Sequence, residues 1–460
     1  MTESKPLWSG RFSKEPDPSA HRLTESLSFD VRLAPQDVEA TVAHVRGLEA
    51  AGLLDAADAK RLEDGVREVG EEIARGTFAF DPSDEDVHSA IERGVTDRLG
   101  ELGARLHAGR SRNDLVVTDL RLWSLAAGER IAREVVALLE VLGDRAREGI
   151  DVILPATTHG RLAQPVTLGH HLMAHAFGLL RDLERLEQWS ARTRVSPLGA
   201  GAIATSTLPL DPEATATRLG LSRAFDNSMD AVSDRDFVME LLAMASIVAT
   251  RLSRMAADLI RWSDESVQFA RLDDAFATGS SMMPQKRNPD ALELVRAKAA
   301  RPASDFARLA QVLSGLPLGY HRDLQEDKEP VFDAVETLEA AFPAISGCLA
   351  TATFDADAMR EAAQTPELYA TDVAEALVAH GVPFREAHQK VGGLLRLLEE
   401  DGRTLRDLTP EEWDVVGLSE GATLLDPERA VSARAIHGGP SRESVEAQLD
   451  TLERALADRR

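Results

Sequence analysis

The feature that most limits how this chain can fold is a set of apolar residues spaced by threes and fours from Leu115 to about Ile150. They are Val116, Leu120, Trp123, Ala127, Ile131, Val135, Leu138 and Leu142. That spacing lays one apolar stripe along a helix and fits no strand. The pattern recurs from Val166 to Val195, with Leu168, Leu172, Ala176, Leu179, Leu183, Leu186 and Trp189. It recurs again from Asp236 to Trp262, with Phe237, Leu241, Ala245, Val248, Leu252, Met255 and Leu259. Asp290–Leu313 and Lys328–Ala350 are predicted as two more long helices, kinked at Pro302 and Pro343. Five such helices indicate an all-α chain built on an extended bundle. A dry stripe this long seeks neighbours in other copies, so a homo-oligomer is expected.

Three stretches are distinguished. Residues 1–107 read as a mainly helical N-terminal domain. In it Trp8-Ser9-Gly10-Arg11-Phe12 reads as polar and exposed, and a helix is expected from about Gln36 to Glu49 with Gly52 as the stop. Pro82-Ser83-Asp84-Glu85-Asp86 opens a second helix, with Ser83 as its expected cap. Residues 108–353 hold the long helices; Ser196–Asp211 reads as loop, and with 5% aromatic residues β-signals are few. Residues 354–460 shorten their periodicity around Gly381-Val382-Pro383 and read as a small helical C-terminal domain.

Composition removes whole classes of partner. A net charge of −25 argues against nucleic acid and against an anionic membrane. No apolar run is long enough to span a bilayer, and the first residues lack the apolar core of a signal peptide. The single cysteine, Cys348, suits a cytoplasmic setting. Of 52 basic residues only seven are lysines, and two of these, Lys286 and Lys328, fall in the motifs below.

The motif richest in chemistry is Gly279-Ser280-Ser281-Met282-Met283-Pro284-Gln285-Lys286-Arg287-Asn288-Pro289-Asp290. Small residues at its start leave the backbone loosely restrained. At its end Asn288 reads as a helix cap, Pro289 as the first helical residue and Asp290 as a partner of the positive dipole end. Hydroxyls, an ammonium and an amide lie along a mobile loop, with no Cys or His to hold a metal. Such a set suits proton abstraction beside a carboxylate, with Lys286 and Asn288 steadying the added negative charge. A serine can act as base if it is held as an alkoxide near an ammonium.

The string matches Gly-Ser-Ser-x-Met-Pro-x-Lys-x-Asn, and so resembles the fumarase/aspartase superfamily. Its Gln-Lys-Arg-Asn-Pro-Asp ending resembles the argininosuccinate lyase branch. The resemblance implies that Ser280 is the catalytic base on a closing loop, and that Lys286 and Asn288 bind the carboxylate that becomes an enediolate.

Three further strings carry the same resemblance. Gly109-Arg110-Ser111-Arg112-Asn113-Asp114 precedes the longest predicted helix, whose free N–H groups and dipole make an anion site to which Arg110 and Arg112 add charge. The resemblance implies that Arg112, Asn113 and Asp114 line the substrate site. Thr157-Thr158-His159-Gly160 reads as a loop; a histidine paired with a carboxylate is a general acid or base near neutral pH. The resemblance gives Thr158 and His159 substrate or proton roles, with Glu293 orienting the histidine. Many relatives read Thr-His-Leu-Gln here, whereas this chain has Gly160, Arg161 and Leu162. Tyr320-His321-Arg322-Asp323-Leu324-Gln325-Glu326-Asp327-Lys328 differs from the family string by His321 in place of Asn. It implies substrate contacts from Tyr320, Gln325 and Lys328. Ser26 and Asp30 match upstream, and Ser26 is implied to touch the arginine end. His88 and His107 match too but read as structural histidines.

By resemblance the expected reaction is reversible anti elimination of argininosuccinate to arginine and fumarate. It needs no cofactor and no metal, and runs in a homotetramer whose sites draw on three subunits. The alternatives are another fumarate-releasing lyase, such as adenylosuccinate lyase or aspartase, or a crystallin-like structural protein without activity.

Overall fold

The computed structural model describes residues 17–457 and Arg459; the expectation for residues 8–12 lies outside the described residues. The chain is helical, with three two-stranded sheets among the described residues. Its long helices are Arg112–Glu148, Leu168–Thr193, Asp236–Ser263 and Lys328–Thr351. The apolar stripes are their buried faces: Leu120, Val135, Leu138, Leu179, Leu241 and Leu259 are each at most 1% exposed.

Contacts gather the chain into two compact units that differ from the sequential stretches. Among the described residues the first comprises 17–132, 184–247 and 300–338, and the second 133–183, 248–299, 339–457 and 459. Each long helix gives one stretch to each unit. In the first unit Leu115, Leu122 and Leu125 pack with Ala40, Ala43, Leu198 and Leu219. Trp189 lies against Gly128, where a Cβ would meet its ring at 2.4 Å, and its indole N–H donates to the Phe237 carbonyl at 2.8 Å. In the second unit Tyr369, Leu377, Val391, Leu405 and Trp413 form a C-terminal core. There the Tyr369 hydroxyl donates to the Ala363 carbonyl at 2.6 Å.

Three local expectations are corrected. Asp290–Leu313 is two helices, Asp290–Lys298 and Ala300–Leu313. Pro302 has no N–H for the Lys298 carbonyl and its ring crowds that carbonyl, so the helix breaks just before it. By contrast, Lys328–Thr351 continues through Pro343. The helix after Pro82 begins at Val87, capped by Asp86 in a reciprocal box with Ser89, and Ser83 bonds back to Asp81 instead. The stretch expected to start a helix at Val166 is still strand until Thr167, because residues 153–167 form a hairpin.

Candidate active site

The hairpin pairs Ile153–Thr158 with Arg161–Thr167, with Thr158 opposite Arg161. Its turn is therefore His159-Gly160. Both have positive φ, 53° and 71°, as a tight two-residue turn between twisted strands requires. Glycine adopts this freely, whereas histidine does so at a cost of about 1–2 kcal/mol. Ile153 packs with Ala363 and Val431, which anchors the hairpin base. Thr158 and His159 are held exposed at the tip. The sequence signal was there to read, in β-branched residues and two prolines around a glycine, but without alternation it resembled a loop.

Downstream in the same unit, Thr278 and Asn288 close the neck of the Ser280 loop. The Thr278 N–H donates to the Asn288 carbonyl at 3.0 Å, and the Asn288 N–H returns to the Thr278 carbonyl at 2.7 Å. The Thr278 hydroxyl also bonds the Asp290 carboxylate. Asn288 is thus a neck residue and not the helix cap, a position that Pro289 takes without a side-chain bond. Arg287 is tied to Asp274 and to the Leu272 carbonyl. Within the loop, Ser280 Oγ accepts the main-chain N–H groups of Met283 at 3.0 Å and Met282 at 3.3 Å. Two fixed donors on one hydroxyl oxygen favour its anionic form. Lys286 is exposed and, among the described residues, makes no ion pair; Met282 is 88% exposed. Glu293 is exposed, with Arg296 3.9 Å away. Among the described residues no hydrogen bond or ion pair joins His159 to Glu293, Ser280 or Lys286.

The first unit gathers the other motif residues. Ser111 and Asp114 bracket the start of the Arg112 helix: the Asn113 N–H donates to Ser111 Oγ at 3.2 Å, and the Ser111 N–H donates to Asp114 Oδ1 at 2.9 Å. Arg112 lies 3.3 Å from Asp86 and 3.7 Å from Glu85, and Arg322 lies 3.9 Å from Glu85. The Ser26 N–H donates to the Glu85 carbonyl, and Gln325 reaches the Glu25 carbonyl at 3.4 Å. Ser26 and Arg112 therefore meet around residues 85–86, and Gln325 reaches the adjoining Glu25. Asn113 donates to the Ala202 carbonyl at 3.0 Å. Tyr320 is half-buried, and among the described residues its hydroxyl has no hydrogen-bond partner.

Four side chains expected at the site are buried. Asp114 is wholly buried: its Oδ2 accepts the N–H groups of Gly199 at 3.0 Å and Gly201 at 2.8 Å, so both oxygens are spent on backbone. Lys328 is 2% exposed, its ammonium 2.9 Å from Asp327 Oδ1, while Arg235 holds the other oxygen. An ammonium removed from water needs that partner. Arg110, expected to add charge at the helix start, is buried and bonds Thr41. Ser26 is also buried, donating to Asp30 Oδ2 at 2.6 Å, although its N–H sits on the 85–86 turn. Glu85 and Arg322 were missed as site neighbours. Each looked like one more charge on a polar helix entry, and only the fold brings them together.

The family described as lyase matches residues 10–302, and the family described as argininosuccinate lyase C-terminal matches residues 367–432. The argininosuccinate lyase of Symbiobacterium thermophilum is 47% identical, over 98% of this chain and 99% of that protein. The argininosuccinate lyase of Thermobifida fusca is 46% identical, over 99% of this chain and 96% of that protein. Among solved structures, an EDDS lyase variant with bound fumarate has a TM-score of 0.84 at 26% identity, covering 97% of this chain and 92% of that one.

Proposed function

The chain belongs to the argininosuccinate lyase family, and from that premise we propose how its residues divide the work. It is a carbon–nitrogen lyase that splits argininosuccinate reversibly into L-arginine and fumarate. Ser280 Oγ takes the proton from the carbon beside the departing nitrogen's carbon. The electron pair moves into the adjacent carboxylate, where Lys286 and Asn288 hold the extra charge. The pair then returns to form the double bond of fumarate while the C–N bond breaks. His159, directly or through water, gives the leaving guanidino nitrogen its proton, with Glu293 orienting the imidazole.

The observation that carries this reading is the pair of main-chain N–H groups on Ser280 Oγ, on a loop that also carries the exposed Lys286. The fumarate in the structurally similar EDDS lyase supports a dicarboxylate at this fold's site. Ser26, Arg112, Asn113, Thr158, Tyr320 and Gln325 bind substrate, the Ser26 turn taking the arginine end near the carboxylates of Glu85 and Asp86. Asp114 and Lys328 brace them from beneath.

The working form is a homotetramer in the cytoplasm, serving arginine biosynthesis, with each site assembled from several copies. Uncommitted hydrophobic side chains on helical faces, Ile247 at 40% and Leu294 at 55% exposure, support further subunit contacts. The test is complementation. A Ser280→Ala protein and an Arg112→Ala protein, each inactive, are unfolded and refolded together; fumarate absorbance should recover in the hybrids. Verified hybrid tetramers that stay inactive would refute shared sites.

A further inference from the structure

His171 and His175 are one turn apart on the Leu168–Thr193 helix, so both imidazoles leave the same face. Both bring Nε2 onto one atom, Asp258 Oδ2 of the Asp236–Ser263 helix, at 3.0 and 2.9 Å. The three ligand atoms all lie within 4.8 Å of one another. Ligand bonds of about 2.0–2.1 Å to one zinc-sized ion set neighbouring donors about 3.3 Å apart, close to these separations. All three residues are half-buried, and the His171 ring is braced edge-on by Trp262, centroid to centroid 4.7 Å. A cavity of about 210 Å³, lined by His171, Asp258, Leu154, Thr157 and Trp262, opens beside them. That leaves an entry path and room for water as a fourth ligand. Arg261 also lines the cavity, with its guanidinium reaching Thr157 Oγ1 at 3.4 Å. The second histidine–carboxylate cluster, Asp37, His88 and Asp119, has no such access because every member is buried.

We propose that His171, His175 and Asp258 bind one divalent transition-metal ion of the zinc class per chain. Two imidazoles and one carboxylate favour zinc or cobalt over magnesium or calcium. The ion would tie the two helices together. It would also sit against the base of the hairpin whose tip is Thr158-His159, since Thr157 and Leu154 share the cavity. It takes no part in the elimination, so its role is to stiffen the hairpin's seat.

The test uses the full chain stripped with chelator and titrated with Co²⁺ as a visible probe. One equivalent per chain should produce d–d absorption bands that Zn²⁺ displaces, with a rise in the thermal midpoint. His175→Ala and Asp258→Asn should each weaken uptake at least tenfold, while His170→Ala should leave it unchanged. Asp258→Asn keeps the side-chain shape, so it decides the matter if the histidine variant folds poorly. Failure of the wild-type chain to bind either ion at micromolar concentration would overturn the proposal, as would binding that both variants retain.

Discussion

Removing the Asp114 carboxylate should cost more stability than any other single change near the helix start. The side chain is 0% exposed and accepts three main-chain N–H groups, from Ser111, Gly199 and Gly201. Asp114→Ala leaves all three without a partner. A buried unsatisfied donor costs about 1–3 kcal/mol. The Gly201 bond is buried and takes the full penalty, whereas Ser111 and Gly199 are part-buried and recover some of it from water. The loss also removes an acid from the first turn of a helix, worth about 0.3–1 kcal/mol. Together these give about 3–5 kcal/mol for the alanine variant. Asp114→Asn keeps one oxygen for Gly199 and Gly201 but turns an amide donor toward the Ser111 N–H, so its cost should fall between. Denaturant unfolding with an unchanged slope reads this directly. Faster amide exchange at Gly199 and Gly201 should accompany it. Both variants lying within about 0.5 kcal/mol of wild type would refute the brace assigned to Asp114.

Asp119 has a pH signature. Burial pushes its carboxyl up to about 7 and the neighbouring Asp37 charge pushes the same way, against the attraction of His88. Because its folded pKa lies above the unfolded value, this group's contribution is full below about 4 and is lost as pH rises towards 7. His88 runs in the same direction. Burial opposes its charge, but Asp119 and Asp37 hold it protonated well above its ordinary range, so its contribution too fades as pH rises. Asp119→Asn should therefore flatten the fall in thermal midpoint between pH 5 and 8; an unchanged slope would contradict the buried-charge assignment. Gly160→Ala should cost about 1–2 kcal/mol through backbone strain alone, because a Cβ there meets nothing within 4 Å while φ is 71°. Turnover should fall more than affinity as His159 shifts, and unchanged stability and turnover would argue against the two-residue turn.

The long helices were legible because burial of one stripe over many turns leaves a periodic trace that no local effect hides. Leu120, Val135 and Leu138 were placed from spacing alone and are buried as expected. The hairpin was not legible: its strands carry too few alternating residues, and its turn depends on a histidine adopting a glycine-like conformation. Pairing of side chains was also hidden. Asp114 and Lys328 lie in strings that read as binding motifs, yet whether a charge faces ligand or backbone is decided by Gly199, Gly201 and Asp327. Asn288 looked like a helix cap because Asn-Pro-Asp favours one locally; its main-chain bonds to Thr278 won instead. Cap propensity is worth about 1 kcal/mol, and two ladder bonds closing a loop compete with it easily.

The proton-abstracting role proposed for Ser280 can be measured on one variant. Ser280→Ala removes the hydroxyl but not the Met282 and Met283 N–H groups that surround it. With argininosuccinate, the initial growth of fumarate absorbance should fall about a thousandfold, the middle of what a general base supplies, while KM stays within a few-fold. An alanine variant that turns over within tenfold of wild type would place the base elsewhere.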